Sequence, residues 1–138
     1  MICVSLAEKT LCENLAALQN IELAEIRLDK MEIDKEGIHS LFSQPIRLIA
    51  TFRPGVADED KRKSGLLAAI SAGAYMVDIE VDAAVSYKEE IITRAKEKGC
   101  RVMLSYHNFS KTPDRAELEH ILNWCFESGA HVAKIACA

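Results

Sequence analysis

The sequence predicts an α/β fold, a parallel-stranded (β/α)8 barrel of the TIM type with about six of its strands present, and three observations predict it. Short apolar runs alternate with helical patterns along the whole chain. Several of these runs carry charge on one face only, and the charge gathers toward their C-terminal ends. No Gly-rich phosphate loop follows any of them. Repeated β-α units imply a parallel sheet with helices outside. The competing architecture is an open doubly wound sheet, which is covered on both sides and should be apolar on both faces. A barrel instead points polar groups inward at the C-terminal ends of its strands.

The elements follow in order. "ICVSLA" reads as the first strand and "TLCENLAAL" as a short helix after it. In the strand "LAEIRLD", Glu25, Arg27 and Asp29 share one face, and Ala24, Ile26 and Leu28 the other. "DKEGIHSLFSQ" is a weaker helix. The strand "IRLIATFR" sets Thr51 and Arg53 on one face. The next helix, "DKRKSGLLAAISAGA", begins with Lys61, Arg62 and Lys63 after Asp58, Glu59 and Asp60, a mixture that reads as a solvated start. "MVDIEVD" aligns Asp78, Glu80 and Asp82. "SYKEEIITRAKEKG" places Ile91, Ile92 and Ala95 on one helix face and stops at Gly99. "RVMLSYHN" aligns Ser105 with His107. "TPDRAELEHILNWCFESG" offers Thr112 as cap, Pro113 at the first helical position, and a stripe of Leu118, Ile121, Leu122 and Cys125. "HVAKIACA" is the sixth strand, with Lys134 aligned with Val132 and Ala136.

The 138 residues suit one domain, 1–138, without a Pro/Gly/Ser linker. A net charge of −4 argues against nucleic acid as a partner. No apolar run is long enough to span a membrane, and "MICVSLAEKT" lacks a basic region before its apolar residues, which points to the cytoplasm. Cys3, Cys12, Cys100, Cys125 and Cys137 form no CxxC pair, so reduced and mostly core thiols are expected. No His/Cys/carboxylate trio has metal-ligand spacing, and no metal is expected. His39 and His120 read as surface residues, and His131 as a core or rim residue at the start of the lysine strand.

A lone strand lysine such as Lys134 is ordinarily harmless, because its stem can carry the charge to solvent. Here Glu25, Arg27, Arg53, Glu80 and His107 would converge on the same interior. Burying that many ionisable groups is costly unless they pair or work. A structural ion-pair network is one reading. The other is chemistry. A lysine shielded from water with arginines nearby has a depressed pKa, and its free amine can attack a ketone to form a Schiff base. The iminium is an electron sink, a histidine can move protons at neutral pH, and arginines suit an anionic, oxygen-rich substrate. That set amounts to an imine-forming lyase.

"VDIEVD" followed by "VMLSYHNF" resembles the signature of the type I 3-dehydroquinate dehydratases, and "ELAEIRLD" and "TFRP" resemble two further segments of that family. Lys134 stands 27 positions after His107, as the family's Schiff-base lysine should. The resemblance runs in order along the chain and implies a (β/α)8 barrel. It implies dehydration of the small-molecule substrate 3-dehydroquinate to 3-dehydroshikimate in the shikimate pathway, with no cofactor and no metal. Lys134 would form the imine, and His107 would act as general base and then acid. Glu25, Arg27 and Arg53 would bind the polar ring substituents. A homodimer is implied as well. The family's acid that orients the histidine has Ala57 at its matching place here, with Glu59 just beyond as the candidate in its stead. Asp78 and Glu80 match the signature and read as supports.

Only six β-α units begin in this sequence and the sixth lacks its helix, whereas a closed barrel needs eight strands. The chain is therefore expected to be a fragment, a truncated product or an incomplete record, with exposed edges prone to self-association. An inactive piece serving only in binding or assembly, and another Schiff-base barrel of the class I aldolase kind, are the alternative readings.

Overall fold

The computed structural model describes residues 2–138. Six strands alternate with five helices: β1 (Val4–Leu6), α1 (Leu11–Ala17), β2 (Leu23–Arg27), α2 (Lys35–Phe42), β3 (Arg47–Thr51), α3 (Glu59–Ala72), β4 (Met76–Glu80), α4 (Val85–Lys98), β5 (Arg101–Asn108), α5 (Arg115–Glu127) and β6 (Val132–Cys137). A 3-10 turn, Leu28–Lys30, follows β2. All pairings are parallel and the sheet order is β1-β2-β3-β4-β5-β6, so each strand lies beside its neighbours in the chain. The sheet curls into the part of a (β/α)8 barrel that six strands can form, with β1 and β6 as its edges.

Local chemistry explains the helix ends. Thr10 and Glu13 close a reciprocal capping box on α1. Asp34 and Asp58 accept from the Gly37 and Lys61 amides to cap α2 and α3. Helices α3 and α4 stop at Gly73 and Gly99, both in the left-handed conformation, where a side chain is strained. At α5 the expectation is corrected. Asp114 is the cap, accepting from the Glu117 amide at 2.9 Å, while Thr112 donates its hydroxyl to the Ala138 carbonyl. Asp caps as well as Thr does, and a helix that starts at Arg115 leaves Pro113 just outside it.

The core lies between the convex face of the sheet and the helices. Ala24, Ile26, Leu48, Ala50, Val77, Ile79, Val102 and Leu104 face outward, and Leu41, Leu66, Ile70, Ile91 and Cys125 pack down on them, all at 2% exposure or less. Burying each large side chain of this set contributes about 1.5–3 kcal/mol. Of the α5 stripe only Ile121 and Cys125 are buried, and Leu122 is 40% exposed. The thiols divide differently from expectation: Cys100 and Cys125 are buried, Cys137 is half-buried, and Cys3 and Cys12 are exposed. Cys3 precedes β1, and Cys12 lies in a helix too short to bury a full face.

Candidate active site

The concave face carries what the convex face cannot: alternate residues of β2 to β6 turn their polar groups inward. Its middle layer is built from Glu25, Thr51, Asp78, Ser105 and Lys134. Ser105 and Lys134 are register partners on β5 and β6. Glu25 accepts from Ser5 Oγ at 2.8 Å and from Thr51 Oγ1 at 2.9 Å. The Lys134 Nζ donates to Asp78 Oδ2 at 3.3 Å and lies 3.5 Å from Glu25 Oε1. Asp78, with its side chain fully buried, also accepts from Ser105 Oγ at 2.6 Å. Burial alone would raise the Glu25 carboxyl, but Lys134, Ser5 and Thr51 together hold it below its ordinary value.

Lys134 therefore stands in surroundings other than those expected. Its side chain is 35% exposed, and the charged groups it touches are carboxylates, not guanidinium groups. The curl brings Glu25 and Asp78 to it, while Arg53 is held by Asp78 itself together with Glu80 and Ser105.

Above this layer, toward the C-terminal ends of the strands, stand Arg27, Arg53, Glu80 and His107. Arg53 donates to Asp78 through Nη1 (3.2 Å) and Nη2 (2.6 Å), and through Nη1 also to Glu80 Oε1 (2.8 Å) and Ser105 Oγ (2.9 Å). Arg27 makes a two-point contact with Asp29, at 3.0 and 2.7 Å. The same Asp29 accepts from the Arg53 amide at 3.3 Å. Arg27 and Arg53 are thus linked through one buried carboxylate, whose pKa is lowered because Arg27 and the backbone amides outweigh its burial. Asp29 was visible in the sequence only as the third member of the Glu25 and Arg27 face.

His107 is the register partner of Ala136, two positions beyond Lys134 on the adjacent strand. That offset is roughly 6.6 Å of strand rise, within one small-molecule ring of the lysine. The ring stacks near Phe109, with centroids 6.0 Å apart. Burial first, and then the Arg53 and Lys134 charges, push its pKa down, while Asp78 and Glu80 push it up; the net shift is downward. The neutral imidazole is thereby favoured at neutral pH. Glu59 is an exposed residue in the first turn of α3, and the carboxylates acting on His107 are Asp78 and Glu80.

Arg62 departs from the solvated helix start that the sequence predicts. It is buried, not solvated, and its Nη2 donates to Glu80 Oε2 at 2.7 Å. A basic run at a helix start has no signal that tells the inward member from its neighbours. Glu25, Asp78 and Lys134 also border a cavity of about 530 Å³ that opens toward the N-terminal ends of the strands.

A family model described as type I 3-dehydroquinase matches residues 2–138. A 3-dehydroquinate dehydratase from Desulfotalea psychrophila is 30% identical over 145 residues, covering 97% of this chain and 63% of its own length. One from Methanopyrus kandleri is 35% identical over 130 residues, covering 87% of this chain and 56% of its own. The solved 3-dehydroquinate dehydratase of Enterococcus faecalis matches with a TM-score of 0.86 at 27% identity, over 98% of this chain and 65% of that one. The Clostridium difficile type I enzyme has the same fold, with a TM-score of 0.87 at 24% identity over 98% and 62%. The chain spans about three-fifths of the length of these relatives.

Proposed function

Because the chain belongs to the type I 3-dehydroquinase family, we propose that its concave face dehydrates 3-dehydroquinate to 3-dehydroshikimate through a Schiff base on Lys134. The observation that carries this reading is the placement of Lys134 and His107 on the concave faces of adjacent strands, two positions apart.

Lys134 must release a proton before it can attack, and carboxylate oxygens of Asp78 and Glu25 stand 3.3 and 3.5 Å away to receive it. The free amine adds to the substrate ketone, and loss of water gives the protonated imine. His107 then removes the proton from the neighbouring carbon, and the electron pair left behind flows into the iminium to give an enamine. The enamine expels the hydroxyl group one carbon further on, protonated as it departs by the same imidazole, so the histidine is returned to its neutral form. Water hydrolyses the conjugated imine and frees Lys134. Glu25, Arg27 and Arg53 bind the polar substituents; Arg27 Nη1 lies outside its contact with Asp29. The resemblance further implies a homodimer acting in the cytoplasm.

The test is reductive trapping. The chain is incubated with 3-dehydroquinate and sodium borohydride, then digested and mapped by mass. The expected result is a stable adduct on Lys134. An adduct on Lys111 or Lys96, or none, overturns the assignment.

A further inference from the structure

After Glu59 and Asp60, helix α3 carries three basic residues in a row, and the middle one turns inward. Lys61 is exposed and Lys63 pairs with Glu90 at 2.9 Å, whereas Arg62 is only 7% exposed. Its Nε donates to the Phe52 carbonyl at 3.0 Å, and its Nη2 to Glu80 Oε2 at 2.7 Å. Its guanidinium lies over the Tyr87 ring, 5.1 Å from the centroid. Phe52 immediately precedes Arg53, and the other oxygen of Glu80 accepts from Arg53 Nη1 at 2.8 Å.

We propose that Arg62 is a positioning residue: from outside the sheet it holds the backbone before Arg53 and the carboxylate in front of it, and so fixes where the Arg53 guanidinium stands. The arrangement is specific to arginine. Two donors on one rigid plane serve two acceptors at once, which a single ammonium on a flexible stem does not reproduce. Glu80 between two guanidinium groups has both oxygens occupied and cannot swing to follow either. Tyr87 supplies a platform. Its hydroxyl is buried without a hydrogen-bond partner among the described residues, and burial pushes it up to about 12, so it takes no part in proton traffic near neutral pH. The use of Arg53 on substrate rests on the dehydratase reading above; the placement of Arg53 by Arg62 does not.

The experiment reads His107 by NMR titration of the chain without substrate. The charges that act on this ring are Arg53, Lys134, Asp78 and Glu80. Arg62→Met keeps a stem over Tyr87 and removes both donors. Glu80 then loses one counter-charge, and the His107 midpoint is expected to rise by about 0.3 pH unit or more. In a Glu80→Gln background the same change should add less than about 0.1 unit, because effects carried by one shared partner do not add. Arg62→Lys should give a smaller rise and keeps the test open if Arg62→Met does not fold. An unchanged midpoint, an equal rise in the Glu80→Gln background, or loss of the fold in both Arg62 variants overturns the proposal. A failed borohydride trap beside the expected titrations would remove the dehydratase reading alone, and a Lys134 adduct beside flat titrations would remove the role of Arg62 alone.

Discussion

Lys134 on β6 and Glu25 on β2 approach to 3.5 Å, although three strands lie between theirs in the sheet. In a flat sheet, four strand spacings would separate the two backbones by about 19 Å. The contact exists because the sheet curls and both side chains point to the inside of the curve. It ties the closing edge of the sheet to its second strand and sets a negative charge beside the candidate nucleophile.

Asp78 is the strongest structural member of the site. With its carboxylate fully buried and accepting from Arg53, Ser105 and Lys134, Asp78→Asn leaves a buried guanidinium short of its partner. The expected loss of unfolding free energy is about 3 kcal/mol or more. Urea denaturation checks it, with a lower midpoint at an unchanged slope.

His107 is half-buried and makes a ring-stacking contact, not a hydrogen bond, as its main specific interaction. On the dehydratase proposal, His107→Gln is therefore expected to leave the melting temperature nearly unchanged while lowering turnover at least ~100-fold. A steady-state assay following the conjugated enone product, run beside a thermal melt, separates the two effects.

Glu25 predicts a pH dependence of stability. Its folded pKa is lowered, so it contributes stability that is fully present above the unfolded value of ~4.3 and is lost as pH falls through the folded value. Glu25→Gln should therefore cost most near neutral pH, and the gap to the parent chain should narrow in acid. Chemical denaturation at pH 7, 5 and 3.5 measures it; a gap that widens in acid would contradict the stated electrostatics.

Two helix-ending glycines should respond differently to alanine. Gly73 has φ +116°, and an added Cβ would sit 3.3 Å from the Phe42 carbonyl oxygen. Gly99 has φ +68° and nothing within 4 Å. Gly99→Ala is expected to cost about 1 kcal/mol, the usual strain of a left-handed alanine, and Gly73→Ala more than that. Thermal melts of the two variants rank them.

The inward charges of β2 to β6 were legible because a strand's period of two separates faces cleanly, and Glu25, Arg27 and His107 could be read off that alternation. The capping glycines were legible for a similar local reason. What a residue touches across the curl was not. Lys134 was expected among arginines, yet it meets Asp78 and Glu25, because the partner depends on how far the sheet bends and which cation Asp78 holds first. Arg62 gave no sign of its burial, since a helix presents its next ridge to the sheet whether or not the residue there is apolar. The α5 start slipped by two residues because Thr112 and Asp114 are both good caps and only tertiary contact chooses between them.

The strand order has a consequence for how the chain acquires its chemistry. Val4 pairs with Ala24 at one end of the sheet and Leu104 with Ala133 at the other, so each strand closes a loop of 20 to 29 residues onto the strand made just before it. Closure entropy grows only slowly over that range, and no addition waits for a distant segment. A chain emerging from the ribosome can therefore lay down its sheet one unit at a time, from the N-terminus onward. The lysine comes with β6, after the five strands it faces. Until β6 is made, the nascent protein holds a growing sheet whose acids and histidine are in place before the amine they surround.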